Sequence, residues 1–302
     1  MTFRDRLLMI ASFAAIHIVW GTTYLAIRYA VETIPPLLTA GLRHTVGGAA
    51  LFAVCWWRGL RPTRVQWRVA VVTGILFFLI GHGSLHWAEQ YVPSGTAALF
   101  VATEPVWVAL LGARRLSAPA IAGLVIGIGG VALLVGLPHG ATFTGSIVIV
   151  IGAFSWSVGI FYSRSAASHP DALMSAAMSL LSGGALLILA AAVTGGTNLS
   201  HVSTRSALGL AYLIVFGSLT FAGYTWLLAR VSPVLVSTHA YTNPLIAVLI
   251  GALVAGEALS PRIVIAGAAI LAAIALVRGG ERDSSWEAAA TPATPQPRNP
   301  VT

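Results

Sequence analysis

The chain contains one unusual stretch twice, and this duplication constrains the fold more than any other feature. The first copy covers residues 92–117 (VPSGTAALFVATEPVWVALLGARRLS) and the second covers residues 231–260 (VSPVLVSTHAYTNPLIAVLIGALVAGEALS). When the copies are aligned, Glu104 falls on Asn243, and a proline follows each of them inside an apolar run of membrane-spanning length. Hydrocarbon tolerates such an interruption only where protein or a water-filled cavity satisfies the freed backbone groups. Paired interruptions in two halves of a chain indicate the binding site of a transporter.

The composition places the chain in a lipid bilayer. Of its 302 residues 57% are hydrophobic and 9% are charged, with a mean hydropathy of +0.86, whereas a soluble domain carries about a quarter charged residues. Ten apolar stretches lie near residues 7–29, 37–57, 68–88, 94–112, 119–137, 145–163, 172–194, 206–229, 233–255 and 261–278. Most are close to the ~20 residues that a membrane-crossing helix needs. The predicted fold class is therefore an all-α integral membrane protein with ten transmembrane helices.

The positive charge of the chain predicts its orientation. The net charge of +8 comes from arginine alone, because the sequence has no lysine. With both termini in the cytoplasm, most arginines fall in inner loops, and only Arg205 and Arg262 fall in outer loops. Since basic residues stay on the cytoplasmic side, this distribution predicts a multi-pass protein with cytoplasmic termini, and it explains the basic charge without a nucleic-acid partner. The single cysteine, Cys55, excludes an intramolecular disulfide and a cysteine-based zinc site.

The duplication extends to the starts of the two halves. WGTTYLAIR at residues 20–28 aligns with WSVGIFYSR at residues 156–164. Because each half holds an odd number of helices, five, the halves enter the membrane from opposite sides and form an inverted repeat. We predict one repeat over residues 1–140 and the other over residues 141–278. The proline-rich composition of residues 279–302 predicts a disordered cytoplasmic tail.

Two segments carry a resemblance to a known family. WGTTYLAIRYAVETIPPLLTAGLR at residues 20–43 resembles the opening of bacterial EamA-domain permeases of the drug/metabolite transporter superfamily, and GEALSPRIVIAGAAILAAIAL at residues 256–276 resembles the end of that family's repeat. The resemblance covers nearly the whole chain except the tail. It implies ten helices, cytoplasmic termini in the bacterial inner membrane, and export of small metabolites such as amino acids. Family repeats usually have Gly-Glu before Leu-Ser, but the first half here has Ala113-Arg114, so Glu257 has no acidic counterpart.

Two charged residues inside predicted spans are candidates for function. Glu104 stands deep in the fourth span, where a carboxylate costs several kcal/mol and marks a functional site by default. It could take up a proton, bind a substrate amine or pair with Arg43, and the structural alternative is a hydrogen bond that caps the backbone freed by Pro105. Arg43, early in the second span, could bind a substrate carboxylate or neutralise Glu104. Its alternative is to reach the outer interface.

Aromatic residues of the first and sixth spans are expected to line a cavity. Trp20, Tyr24 and Arg28 are spaced four residues apart, which puts them roughly on one helical stripe. Trp20 and Tyr24 lie too deep for an interfacial aromatic belt, so we place them in the cavity, whereas Arg28 is close to the outer end. Trp156 and Tyr162 are the counterparts in the sixth span.

Polar residues of the third and ninth spans complete the candidate site. His82, His86 and Glu89 share one face, and histidines at i and i+4 could bind a metal, but the H-E-x-x-H signature is absent. We therefore predict a cavity position for His82 and an outer-surface position for the other two, with no metal site. Asn243 occupies the position that matches Glu104, so it is placed in the cavity together with Tyr241. Hydrogen bonding between helices is the structural alternative for these ninth-span residues.

The sequence supports two classes of function. The first is a secondary transporter that exports small metabolites or amino acids by alternating access, with Glu104 as the proton-coupling candidate. The alternative is a membrane-embedded enzyme acting on lipid or peptide, which needs a nucleophile with a base or a set of metal ligands. The sequence contains no nucleophile–base constellation, phosphate loop or ATP motif, so no catalytic residue and no cofactor is predicted. The predicted partners are a small-molecule substrate and the lipid bilayer.

Overall fold

A computed structural model describes residues 2–92, 94–112, 116–135, 143–166, 168–255 and 261–290, and within these ranges the chain is helical with no β-strand. The helices in chain order are α1 (Phe3–Ala30), α2 (Pro36–Trp57), α3 (Arg64–Ala88), α4 (Ser94–Val101 and Glu104–Leu111), α5 (Ala118–Val135), α6 (Phe143–Ser165), α7 (Ala172–Val193), α8 (Thr204–Leu228), α9 (Pro233–Ser237 and His239–Ala255) and α10 (Pro261–Ala290). Seven of them, α1, α2, α3, α6, α7, α8 and α10, are long and apolar enough to cross a membrane. Ala97–Leu111 and Ala118–Leu134 form shorter apolar helices. The predicted all-helical membrane fold is therefore confirmed.

Side chains and backbone geometry in the loops explain where several helices begin and end. Thr63 and Gln66 form a capping box at the start of α3, in which each side chain accepts a backbone N–H of the other residue. The carboxylate of Asp171 accepts from the N–H of Met174 at 3.0 Å and caps α7. Gly59, just beyond α2, has a φ of 84°, a conformation that favours glycine after a helix.

The interruption of α4 lies where the sequence predicts it. A turn at Ala102 and Thr103 separates the two segments of α4, directly before Glu104 and Pro105. Because Pro105 has no N–H, it cannot bond to the carbonyl group of the preceding helical turn. The carbonyl oxygen of Phe100 accepts from the backbone N–H of Thr103 at 3.2 Å and from its hydroxyl group at 2.7 Å, so both bonds close the turn at the break.

The interruption of α9 lies earlier than the proline. The turn falls at Thr238, while Pro244 is inside the second segment of the helix. The hydroxyl groups of Ser237 and Thr238 donate to carbonyl oxygens three residues back, at 2.8 and 2.7 Å. Such local bonds compete with the helical ladder, so the hydroxyl pair, and not the proline alone, sets the position of this break.

Small residues allow the helices to approach closely. Helix α2 packs along α7, and α5 packs along α10. Gly48 of α2 faces the backbone of α7 at Ala177 and Leu181, and Gly127 of α5 faces the ring of Tyr241 of α9. A β-carbon at Gly184 would lie 2.5 Å from the backbone nitrogen of Thr45. The glycine pairs at 47–48 and 183–184 and the run at 127–130 are thus packing surfaces, as is typical of membrane helices.

The buried and exposed apolar residues have different environments. The core is built around buried rings that include Trp20, Phe77 and Trp156. Large apolar side chains such as Val125 and Leu208, 68% and 66% exposed, cover the outside. A bundle that is apolar on both its inside and its outside is stable only where its outer surface contacts lipid.

The last helix extends beyond its predicted end. The part of α10 that is apolar enough to cross a membrane ends at Gly280, close to the predicted end of the span at residue 278. The helix itself continues to Ala290, into the segment for which a disordered tail from residue 279 is predicted. Residues 281–290 (ERDSSWEAAA) contain alanines and glutamates, which favour a helix. Residues 291–302, Ala113, Arg114 and Glu257 lie outside the described residues.

Candidate functional site

One cavity lies between α1, α2, α3, α4, α6 and α9. The described residues that line it are Trp20, Thr23, Tyr24, Ile27, Arg43, Gly81, His82, Leu85, Val101, Glu104, Ile149, Gly152, Ala153, Trp156, His239 and Asn243. Its volume is about 80 Å³, which holds several water molecules, since one needs about 10–15 Å³ by this measure. The predicted site residues in this lining are Trp20, Tyr24, Arg43, His82, Glu104, Trp156 and Asn243. The predicted residues Tyr162 and Tyr241 do not line it.

Aromatic rings form one wall of the cavity. The ring of Trp20 meets that of Trp156 edge-on, with centroids 5.9 Å apart, and lies 4.7 Å from the ring of His239. Trp156 stacks on His82 at 4.9 Å, and its Nε1 donates to the hydroxyl oxygen of Tyr224 at 2.8 Å. These contacts hold the rings in fixed orientations, in geometries that aromatic pairs prefer. The counterpart tryptophans of the two halves therefore meet at one site.

Glu104 is a buried carboxylate without a hydrogen bond. The residue is 4% exposed and begins the second segment of α4. Its Oε1 atom is shielded from solvent and has no hydrogen-bond partner among the described residues. The hydroxyl group of Ser157 donates to the backbone carbonyl oxygen of Glu104 at 3.4 Å, but no bond joins the Glu104 carboxylate to the backbone freed by Pro105. The structural alternative of a carboxylate cap is therefore not what the structure shows, and an unpaired buried carboxylate marks a functional position.

Arg43 is buried and lines the same cavity as Glu104, but it forms no ion pair with that carboxylate. Arg43 is 3% exposed, so it does not extend to an interface, whereas Arg28 is exposed as predicted. The Nε atom of Arg43 has no hydrogen-bond partner among the residues that the structure describes. Within the described ranges, the salt bridges join Arg58 to Asp171 and Arg205 to Glu32. The cavity thus contains a basic and an acidic group that do not neutralise each other by contact.

A histidine pair connects α2 to the cavity wall, and the sequence analysis missed half of it. The Nε2 atom of His44 lies 2.9 Å from Nδ1 of His82, within hydrogen-bond distance. The Nδ1 atom of His86 donates to the carbonyl oxygen of His82 at 2.8 Å. His44 directly follows Arg43, and this adjacency was the available sequence signal. No group of three or more metal-ligating side chains with suitable geometry occurs in the part of the chain that the structure describes.

The outer-surface prediction for His86 and Glu89 is wrong. His86 is fully buried, and its Nε2 atom has no hydrogen-bond partner. Both carboxylate oxygens of Glu89 are shielded from solvent and also lack partners among the described residues. His86 and Glu89 follow His82 at helical spacing on the same face of α3. Because that face lines the cavity at His82, it stays inside the bundle at the next turns.

The two predicted tyrosines lie elsewhere for reasons of helix geometry. Tyr241 is fully buried, and its hydroxyl group donates to the carbonyl oxygen of Leu124 in α5 at 3.2 Å. Residues two positions apart on a helix face nearly opposite directions, so Tyr241 cannot share the cavity face of Asn243, and His239 takes that place. Tyr162 follows Trp156 by six residues, roughly 9 Å farther along the axis of α6.

Asn243 joins the interrupted helix to α1. With its amide oriented for hydrogen bonding, the side-chain nitrogen donates to the carbonyl oxygens of His239 at 3.0 Å and of Ile16 at 3.2 Å. Ile16 belongs to a π-helical segment over residues 15–19 of α1. A second link joins Nδ1 of His17 to the hydroxyl oxygen of Thr242 at 2.5 Å. Asn243 therefore both lines the cavity and makes the interhelical bonds that were its structural alternative.

Comparisons with known proteins agree with this architecture. The model of the EamA-like transporter family matches residues 7–136 and 143–279. The uncharacterized inner membrane transporter YedA of Escherichia coli (strain K12) is 36% identical over 295 residues, covering 93% of this chain and 94% of YedA. The uncharacterized transporter YoaV of Bacillus subtilis (strain 168) is 22% identical, covering 83% of this chain and 90% of YoaV. A solved crystal structure has the same fold, with a TM-score of 0.75 at 24% identity, over 92% of this chain and 98% of that one. Because the two family matches together span most of the sequence, this chain belongs to the EamA-like transporter family.

Proposed function

We propose that this multi-pass inner membrane transporter exports small metabolites or amino acids by alternating access, with the central cavity as its binding site. The observation that carries the proposal is the coexistence of Glu104 and Arg43, both buried, both lining the cavity and not paired with each other. A substrate with an amine and a carboxylate could satisfy both groups. The family relationship favours this function over a membrane-embedded enzyme.

Alternating access requires the cavity to change in size. Its volume of about 80 Å³ is below the ~300–1,000 Å³ of typical ligand pockets, so a substrate enters only when the surrounding helices move. Breaks in α4 and α9 and π-helical segments in α1, α3 and α8 supply places where these helices can bend. Four of the interrupted helices, α1, α3, α4 and α9, contribute residues to the cavity lining, which supports movement about the binding site.

The proposed architecture comprises ten transmembrane helices in two inverted repeats, residues 1–140 and 141–278. The contacts between helices support it, because α1 packs against α8 and α9 just as its counterpart α6 packs against α3 and α4. The π-helical segments of α3 and α8 begin at Gly74 and Leu213, which are matching positions in the alignment that pairs Glu104 with Asn243. Two separate matches to the family model also fit two repeats.

The proposed orientation has both termini in the cytoplasm. A reporter active only in the cytoplasm is expected to be active when fused at Gly59 or after Arg282, because arginines cluster at these ends. A fusion near Asn198, in the loop before α8, is expected to be inactive, and a periplasmic reporter should give the reverse pattern. If the cytoplasmic reporter is active near Asn198 and inactive at Gly59, the orientation in the membrane is the reverse of the one proposed.

The binding-site proposal predicts a transport defect from the loss of one ring. Trp20→Ala removes a 7% exposed side chain from the cavity wall, so substrate uptake into proteoliposomes should fall about tenfold while the protein still inserts and purifies. Tyr24→Ala should act in the same direction. Trp57→Ala is the matched control, because Trp57 is 89% exposed and its loss should leave uptake unchanged. Equal uptake by wild type and Trp20→Ala would contradict the proposal that the transported substrate binds in this cavity.

A further inference from the structure

A second pocket lies at one end of the bundle, where α6 and α8 end and α7 begins. Its volume is about 470 Å³, within the range of ligand pockets. Its basic residues are Arg164, Arg230 and His169, and the carboxylate of Asp171 also faces it. None of these residues belongs to the central cavity, so any ligand bound here is separate from the transported substrate.

Arg164 is held in place while part of its guanidinium stays available. Its Nη1 atom donates to the carbonyl oxygens of Leu228 at 2.5 Å and of Val231 at 2.8 Å. These bonds tie the end of α6 to the segment between α8 and α9. An arginine has five N–H donors, and the Nε and Nη2 atoms of Arg164 donate to no other described residue. Those donors remain for an anion in the pocket.

Arg230 and His169 add donors on the neighbouring segments. The guanidinium of Arg230 stacks over the ring of Trp226, with its carbon 4.1 Å from the ring centroid, and its Nη1 donates to the carbonyl oxygen of Trp226 at 3.2 Å. The Nδ1 atom of His169 accepts from the backbone N–H of Asp171 at 3.1 Å. A neutral imidazole in this state carries its proton on Nε2, so His169 also presents an N–H donor.

The carboxylate in the pocket does not cancel these charges. Asp171 forms an ion pair with Arg58 at 3.5 Å and accepts from the N–H of Met174 at 3.0 Å. It is therefore already engaged with groups of α2 and α7. Arg58 brings a third guanidinium to this end of the bundle, so the charge around the pocket remains positive.

Aromatic residues place this end at the level of lipid headgroups. Trp226 pairs with Arg230 here, and Trp56 pairs with Arg61 at the neighbouring end of α2, where the guanidinium carbon lies 3.8 Å from the ring centroid. Tryptophan rings collect at the membrane–water interface. Basic pockets between membrane helices on the cytoplasmic side bind anionic headgroups, and the arginine distribution assigns this end to the cytoplasm.

We propose that this pocket binds the phosphate group of an anionic phospholipid. A guanidinium group binds phosphate through two parallel N–H···O bonds. Arg164 lies at the end of α6, and Arg230 lies just after the end of α8. The bound headgroup would fix the loop after α6 to the loop after α8. Inorganic phosphate has the same kind of oxygen atoms, so the experiment tests it as a second possible source of the bound phosphate group.

The test measures lipid binding by the purified full-length chain after exchange into a neutral detergent. Phosphatidylglycerol, phosphatidylcholine and inorganic phosphate are titrated separately, and retained molecules are counted by native mass spectrometry alongside the shift in Tm. Phosphatidylglycerol is expected to bind at least tenfold more tightly than phosphatidylcholine. Inorganic phosphate that displaces phosphatidylglycerol would support the phosphate site and show that the acyl chains are not required. Equal binding of the two lipids would overturn the proposal.

Matched variants locate the binding. Arg230→Gln should weaken phosphatidylglycerol binding roughly fivefold, since each basic residue near the surface contributes about 1 kcal/mol. Arg205→Gln is the control, because Arg205 is also stacked on a ring, that of Tyr29 at 3.9 Å, but lies at the opposite end of α8. Wild-type affinity in Arg205→Gln with loss in Arg230→Gln supports the pocket. Equal losses in both variants would mean diffuse attraction and no site.

Discussion

Glu104→Gln is expected to abolish substrate accumulation driven by a pH gradient while sparing exchange of substrate for substrate. The Glu104 carboxylate has an unpartnered oxygen and faces the cavity without an ion pair to Arg43. A proton is therefore the simplest way to neutralise it when no substrate amine is bound. Glutamine keeps the shape of the side chain but cannot take up or release a proton. In the proposed transport cycle the empty transporter returns with Glu104 protonated, so a pH gradient cannot drive this cycle in the variant.

The measurement uses proteoliposomes with and without an imposed pH gradient. Glu32→Gln is the matched control, because Glu32 lies on the surface and pairs with Arg205 at 3.6 Å; its uptake should equal that of wild type. Glu104→Asp keeps a titratable group and should retain part of the gradient-driven uptake. Undiminished pH-driven uptake in Glu104→Gln would end the proton-coupling proposal, whereas loss of exchange as well would assign Glu104 to substrate binding.

The duplication in the sequence was sufficient to find the centre of the candidate site. Aligning the two copies selected Glu104 and Asn243, and aligning the starts of the halves selected Trp20 and Trp156. All four line one cavity. The proposed inverted repeats account for this result, because two repeats related by an axis in the membrane plane would place their matching interruptions near that axis.

The sequence did not predict correctly which side chains of α3 and α9 point into the bundle. The faces of α3 and α9 were assigned with a regular helical period, but α3 contains a π-helical segment over residues 74–82 and α9 contains a turn at Thr238. Each irregularity rotates the residues that follow it relative to those before it. His86 and Glu89 keep the helical spacing from His82, however, and they are buried because they share the face of α3 on which His82 lines the cavity. The predicted cavity position of Tyr241 is wrong for a simpler reason. Tyr241 lies two residues from Asn243, and side chains two residues apart on a helix cannot both point into the cavity.

The electrostatic role of Arg43 depends on distances that the sequence does not contain. Arg43 and Glu104 were expected to be possible partners, yet no ion pair joins them. No salt bridge joins Arg43 to Glu89 either. The Arg43 guanidinium therefore remains available to a substrate.

Arg43→Gln is expected to lower transport of a carboxylate-bearing substrate by roughly 10- to 100-fold, the usual effect of losing a hydrogen bond to a charged group. An analogue with its carboxylate converted to an amide should be transported equally by wild type and variant, because it has no anion for Arg43 to bind. The variant should not lose thermal stability, since it removes a buried charge without a salt bridge.

Two further variants separate substrate binding by Arg43 from a structural role. The double variant Arg43→Gln with Glu89→Gln also removes the buried, unpartnered carboxylate of Glu89. The same transport loss in this double variant would show that the loss in Arg43→Gln does not come from an uncompensated charge on Glu89. Arg28→Gln changes an exposed arginine and should have no effect. Substrate competition assays and thermal unfolding in detergent provide the two readouts. Equal loss of transport for the substrate and its amide, or a lower Tm together with lower transport, would make Arg43 a structural residue of the helix bundle, because neither result depends on a substrate carboxylate.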